Sequence, residues 1–187
     1  MSTIQVHDKR FKTYLPAAEI AREVARLAQE LGRDFRRKDP LFIPILNGAF
    51  MFASDLLRAL DFDVEIAFVK YASYEGTNTT GVVKELIGFP ESVRGRHVVL
   101  VEDVVDTGIS MAHTLERVQA MQPASVSVCT FFFKPDKFVK HFKIDYIGRT
   151  IPNDFILGYG LDYNGLGRTY ADVYVLDEPQ PDNTPEK

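Results

Sequence analysis

Apolar positions along the chain keep two alternating rhythms. Between Pro16 and about Lys38, Ile20, Val24, Leu27 and Leu31 recur at helical spacing with charges between them, which predicts an amphipathic helix. LFIPIL (41–46) is an unbroken apolar run and predicts a short buried strand, and NGAF then leads into an apolar helix ending near Leu60. VEIAFVKY (64–71), HVVLVE (97–102) and SVSVCTFFF (125–133) predict further strands, and ISMAHTLERVQAM (109–121) a helix. Short strands are predicted in IDYIG, FILGYG and DVYVLD. Strands that read as continuous apolar runs are covered on both faces. Strand and helix in alternation predict an α/β fold with a parallel sheet between helices. Ligands of such sheets bind beyond the carboxyl ends of the strands, so the chemistry is sought in the segments that follow strands.

Composition narrows the class. The 187 residues are about one domain's worth, and 45% hydrophobic with 26% charged is an ordinary globular balance. A net charge of −4 supplies no basic field for a nucleic acid. The single cysteine, Cys129, lies inside an apolar run, so no internal disulfide forms and a reducing, cytoplasmic setting is expected. The opening MSTIQVHDKRFK carries charges where a secretory leader needs an apolar core, and no run reaches the length of a membrane span. The polar, glycine-bounded SYEGTNTTGVVK (73–84) is expected to be a mobile loop between strand arms. EPQPDNTPEK (178–187) is expected to be a disordered tail after a single domain of residues 1–177. His7, His97, His113 and His141 show no metal-ligand spacing.

The stretch VVLVEDVVDTGIS (98–110) carries the most chemistry. An apolar run meets Glu102 and Asp103, and after Val104 and Val105 come Asp106, Thr107, Gly108, Ile109 and Ser110. A helix starting near 107–110 offers unpaired N–H groups and the positive end of its dipole to a phosphate. Gly108 allows close approach, and Thr107 and Ser110 add hydroxyl donors. Carboxylates repel a phosphate, so Glu102 and Asp103 need another partner: vicinal hydroxyls, met directly or through a divalent cation. Phosphate at one end and two acids at the other describe a phosphorylated ribose. An Asp-Thr-Gly alone would be read as a turn and helix cap; the whole run is more than a cap requires. The Gly-Lys-Ser/Thr of a P-loop is absent.

This stretch resembles the phosphoribosyl-pyrophosphate motif of the type I phosphoribosyltransferases, and residues 41–177 resemble the 6-oxopurine members of that family. ILNGAFMF resembles the family's pyrophosphate loop at Leu46, Asn47 and Gly48, and SYEGTNTTG its flexible lid, with Ser73 and Tyr74. FFFKPD places Lys134 at the purine-reading lysine, and PNDFILGYGLDYNGLGR places Phe155, Ile156, Asp162 and Arg168 at purine and pyrophosphate positions. The resemblance implies a central parallel sheet flanked by helices, with a small hood built from the N- and C-terminal segments. It implies displacement of pyrophosphate from phosphoribosyl pyrophosphate by N9 of hypoxanthine or guanine, with Mg²⁺, in a homodimer or homotetramer.

The same resemblance assigns roles. Glu102 and Asp103 hold the ribose hydroxyls or their metal, residues 106–110 hold the 5′-phosphate, and Val105 belongs to the same phosphoribosyl-binding run. Asp106 is the general acid or base at the purine, Lys134 donates to the 6-oxo group, and Phe155 stacks on the base. The Ile156 main chain meets the base edge, Asp162 binds a second Mg²⁺ through waters, and Arg168 grips pyrophosphate. The family often has Lys or Arg where this chain has Asn47, and its loop implies a cis Leu46–Asn47 bond. Two alternatives stay open: a regulatory RNA- or nucleotide-binding protein on the same fold, and a transferase for xanthine or another base. The acidic charge and the intact Asp106, Lys134 and Arg168 weigh against the first.

Overall fold

A computed structural model describes residues 2–72 and 84–177. The lid expected at 73–83, with Ser73 and Tyr74, and the tail at 178–187 lie outside the described residues.

Seven strands form the larger sheet: β3 (Leu41–Leu46), β4 (Glu65–Ile66), β5 (Val69–Ala72), β6 (Lys84–Ile87), β7 (His97–Val105), β8 (Ser125–Phe133) and β9 (Tyr146–Thr150). Their order is β6-β5-β3-β7-β8-β9, with β4 also paired to β3. All pairs are parallel except β5 with β6. Three helices cover it: α1 (Ala17–Phe35), α2 (Phe50–Ala59) and α3 (Ile109–Ala120).

Alternation along β7 shows why its run is apolar throughout. Val99 and Val101 pack with Leu27, Leu31 and Phe52 of α1 and α2, while Val98 and Leu100 pack with Met111 and Val118 of α3. Successive side chains leave a strand on opposite faces, and both faces here are covered. β3 and β8 keep the limits of their apolar runs for the same reason.

Four segments depart from the sequence expectation. The run 64–71 is two strands rather than one, broken at Ala67–Phe68. The Phe42 carbonyl accepts from the Ala67 N–H at 3.0 Å, so the next donor of β3 on that side would be residue 44. That residue is Pro44, which has no N–H, and the ladder lapses. β7 runs past the acids to Val105, because Val104 and Val105 pair with Phe132 and Phe133. β9 begins at Tyr146 rather than Ile144. Of 155–160 only Ile156–Leu157 is strand; Gly158, Tyr159 and Gly160 all take positive φ (100°, 50° and 99°) and turn the chain.

A second, antiparallel sheet is the hood. It contains β1 (Thr3–Val6), β2 (Lys9–Leu15), β10 (Ile156–Leu157) and β11 (Val173–Leu176), in the order β1-β2-β11-β10. Val6, Phe11, Leu157 and Tyr174 form its own small core.

Candidate active site

The carboxyl ends of β3, β7 and β8 meet segments of the hood. β3 ends in a Leu46–Asn47 peptide that is cis, as the resemblance implied, and Asn47 is exposed. Gly48 follows in very close quarters. A Cβ there would stand 1.7 Å from Asp103 Oδ2, and a Cβ on Gly160 would stand 2.1 Å from the Gly48 carbonyl oxygen. Gly48 is therefore held between a carboxylate of β7 and the turn after β10. Arg168 anchors that turn: its Nη1 donates to the Gly160 carbonyl at 2.7 Å, and its Nη2 lies 2.5 Å from Asp162 Oδ1. The Gly165 N–H donates to Asp162 Oδ2 at 2.7 Å.

Glu102 and Asp103 are half-buried side by side. Glu102 Oε1 accepts from the Asp103 N–H at 3.1 Å, and Asp103 Oδ1 from the Val104 N–H at 2.7 Å. Among the described residues no Lys, Arg or His nitrogen lies within 4.0 Å of either carboxylate. Burial, and then the charge of Asp103, holds the Glu102 carboxyl well above the ordinary carboxylate range. Burial raises Asp103 as well, against hydrogen bonds to its carboxylate and the more distant Arg168. Two adjacent acceptors without a cation suit a hard divalent ion. Among the described residues no group of three His, Cys, Asp or Glu side chains could hold a metal, so such an ion would take its remaining oxygens from water and substrate.

Next to this pair is a cavity of about 110 Å³ lined by Glu102, Val104, Val105, Asp106, Thr107, Gly108, Ser110 and Met111. Gly108 precedes α3 with φ 78° and provides no side-chain cap. The Ile109 N–H has only a long contact, 3.4 Å, to Thr107 Oγ1. The first turn of α3 thus presents N–H donors to the cavity. Gly108 is required for its backbone and for its neighbour, since a Cβ would come within 2.5 Å of the Phe138 ring. The Val139 N–H donates to the Thr107 carbonyl at 3.2 Å and fixes this wall. A larger groove of about 520 Å³ runs beside α1 at Gly32, Arg33, Arg36 and Asp61. None of the converging residues lines it.

On the far side of the cavity stands Lys134, directly after β8. Its N–H donates to the Val105 carbonyl at 3.0 Å. Its ammonium is buried and donates to the Asp154 carbonyl at 2.8 Å. Asp106 Oδ2 is 3.9 Å from Lys134 Nζ and 3.4 Å from Lys137 Nζ. Burial pulls the Lys134 ammonium below its ordinary range, with Asp106 opposing. Phe155, next to Asp154, is 45% exposed. Its ring rests on Phe11 (centroids 6.1 Å apart) and edge-on to Tyr163 (5.7 Å). The Ile156 side chain is buried in the main core, which leaves only its backbone for a ligand.

A pair of acids and a helix N-terminus thus line one cavity, and through Asp106 and the Asp154 carbonyl they connect to a buried ammonium and the Phe155 ring. A family model described as "Phosphoribosyl transferase domain" matches residues 11–164. The chain belongs to the phosphoribosyltransferase family. It is 38% identical over 170 residues to the hypoxanthine-guanine phosphoribosyltransferase of Mycobacterium avium, covering 87% of this chain and 84% of that one. It is 37% identical over 161 residues to the hypoxanthine-guanine-xanthine phosphoribosyltransferase of Tritrichomonas foetus, covering 86% and 88%. Among solved structures, a hypoxanthine-guanine phosphoribosyltransferase from Bacillus anthracis superposes with a TM-score of 0.82 at 31% identity, covering 88% of this chain and 96% of that one.

Within this phosphoribosyltransferase, Gly48 meets Asp103 and the Gly160 turn that Arg168 and Asp162 brace, and Asp106 meets Lys134, which reaches the residue before Phe155; Ser73 and Tyr74 are outside the described residues. Sequence reasoning missed Gly160, Phe11, Tyr163 and Lys137. The signal for Lys137 was a second lysine in the turn KPDK; for Phe11 no local signal existed.

Proposed function

We propose that this phosphoribosyltransferase moves the 5-phosphoribosyl group from phosphoribosyl pyrophosphate to N9 of hypoxanthine or guanine, releasing pyrophosphate and forming IMP or GMP. One observation carries the reading: Lys134 joins Asp106 on one side and the Asp154 carbonyl beside the Phe155 ring on the other. A base lying on Phe155 would therefore have an ammonium at one edge and a carboxylate at another.

The C1′–N9 bond forms as the bond from C1′ to pyrophosphate breaks, through an oxocarbenium-like state that positioning and charge stabilise. Lys134 donates to the 6-oxo oxygen; a 6-amino group offers no such acceptor, so adenine is rejected. Phe155 stacks on the ring. Asp106 exchanges a proton with a ring nitrogen. The turn at 105–110 holds the 5′-phosphate, and Arg168 and the Leu46–Gly48 loop hold pyrophosphate. Glu102 and Asp103 are the residues that would hold Mg²⁺ and the ribose hydroxyls; the ion would offset the charge of the leaving pyrophosphate. Asp162, already bonded to Arg168 and the Gly165 N–H, would reach a second Mg²⁺ only through water. The reading extends to purine salvage in the cytoplasm by a homodimer or homotetramer, on the strength of family resemblance.

Incubation with phosphoribosyl pyrophosphate, Mg²⁺ and each of hypoxanthine, guanine, xanthine and adenine tests this. Nucleotide should form with hypoxanthine or guanine, require the metal, and be negligible with adenine. No turnover with any base would overturn the reading, and tight nucleotide binding without turnover would favour a regulatory protein on this fold. Turnover confined to xanthine would correct the base.

A further inference from the structure

Asp106 is held unusually. Its Oδ1 is buried and has no hydrogen-bond partner among the described residues, while its Oδ2 faces two ammonium groups. The two lysines are not equivalent. Lys134 is buried and its Nζ is committed to the Asp154 carbonyl at 2.8 Å, leaving Asp106 at 3.9 Å, beyond hydrogen-bond range. Lys137 Nζ lies at 3.4 Å, and Asp106 is its one ion-pair partner among the described residues.

The backbone around Lys137 is pinned. It ends the single helical turn Pro135–Lys137, and its N–H donates to the Lys134 carbonyl at 3.2 Å. The Lys134 N–H in turn donates to the Val105 carbonyl at 3.0 Å, one residue before Asp106. Beyond the turn, Phe138 packs edge-on against Phe133 and Phe142 and against the open side of Gly108. The Val139 N–H closes the loop onto Thr107. Lys137 is thus fixed to the same backbone that carries Asp106, on both sides of it.

We infer that Lys137 is a positioning residue for Asp106: with Oδ1 buried, Lys137 holds Oδ2, the oxygen that also faces Lys134, in the place from which it meets the purine. The inference rests on the transferase reading. A carboxylate attached to Cβ by one rotatable bond has a broad torsional preference. With Oδ2 tethered, one rotamer dominates and that oxygen keeps its place. Because Lys137 acts only through Asp106, its removal costs nothing further once Asp106 cannot exchange a proton.

The test is the single-turnover rate of nucleotide formation in wild type, Lys137→Met, Lys137→Arg, Asp106→Asn and the Lys137→Met/Asp106→Asn double variant. Lys140→Met, on an exposed neighbour, is the control. Misplacement of a catalytic group by about 1 Å can cost up to about 10²-fold, so Lys137→Met should slow the step about tenfold or more. Its KM for phosphoribosyl pyrophosphate should change less than about twofold. Lys137→Arg, which keeps the charge, should recover most of the rate. The double variant should be no slower than Asp106→Asn alone. Wild-type rate in Lys137→Met would overturn the inference. So would multiplying losses in the double variant, or a loss confined to the KM for phosphoribosyl pyrophosphate, which would mean that Lys137 grips phosphate itself. An inactive wild type would instead remove the transferase reading, before any variant is compared.

Discussion

Gly48→Ala is the sharpest perturbation that the geometry offers. The new methyl would stand 1.7 Å from Asp103 Oδ2, where ordinary contact begins at 3.4 Å. Roughly 1.7 Å of separation must be found, half of that ordinary distance. Gly48 cannot retreat, because its carbonyl already abuts Gly160. Asp103 cannot retreat by backbone movement, because β7 is paired with β8 on either side of it, at Glu102 and Val104. What remains is rotation of the Asp103 side chain, which breaks its 2.7 Å bond from the Val104 N–H. Overpacking of this kind costs about 1–3 kcal/mol, and at about 2–4 °C per kcal/mol for a chain of this size the melting temperature should fall by about 2–12 °C. Displacing by more than 1 Å the carboxylate proposed to hold the ribose or its metal should lower kcat/KM for phosphoribosyl pyrophosphate by about 10²-fold. Calorimetry and steady-state kinetics read the two effects. Asp103→Ala removes the obstacle, so the Gly48→Ala/Asp103→Ala double variant should melt no lower than Asp103→Ala alone. Wild-type melting and wild-type kcat/KM in Gly48→Ala would refute the argument, because the loop and the acid would then not touch.

Three further outcomes are expected. Asp106→Asn should keep phosphoribosyl pyrophosphate binding and slow the chemical step by about 10²–10⁴-fold, the usual range for a general acid–base group; an unchanged single-turnover rate would exclude the role. Asn47→Lys should tighten product inhibition by pyrophosphate by about three- to tenfold, since a charge-assisted bond exceeds a neutral one by roughly 0.5–1.5 kcal/mol, and the gain should shrink at high salt; an unchanged inhibition constant at low salt would mean that residue 47 faces elsewhere. Tyr159 donates to Asp55 at 2.9 Å, and burial, then the Asp55 charge, pushes its phenol upward. Both states hold that proton below about pH 10, and above it only the unfolded chain ionises, so the phenol's contribution is lost as pH rises. Tyr159→Phe should melt about 2–4 °C lower at pH 8, the effect of about one hydrogen bond, and the gap to wild type should narrow by pH 10.5; a gap that widens would contradict this sign.

What could be read in the chain beforehand follows from what each signal encodes. LFIPIL and SVSVCTFFF gave the limits of β3 and β8 because burial on both faces writes itself as an unbroken apolar run. The break between β4 and β5 was hidden, since it arises from Pro44 on another strand and appears only once the register is known. β7 continued past its acids because pairing with β8 outweighs the poor strand propensity of Asp. Gly108 was legible: a glycine before an apolar helix names its own turn. Gly48 and Gly160 were not, because the atoms they avoid belong to distant segments. Phe155 looked like core by residue type, and its exposed face depends on Phe11 and Tyr163 beneath it.

The ring at Phe155 lies on strands that are far apart along the chain. Val173 pairs with Leu15 and Leu176 with Phe11, and the Leu176 N–H donates to the Phe155 carbonyl. Synthesis delivers these partners in a fixed order, with β2 made long before β11. The parallel sheet, its three strand ends and the turn at 105–110 can all be in place while β2 still waits for its neighbour. Closing so long a loop carries an entropic cost that grows only slowly with its length, but it cannot begin until β11 emerges. A chain interrupted before residue 173 would therefore carry the turn at 105–110 without the strand that ties the Phe155 shelf to β2.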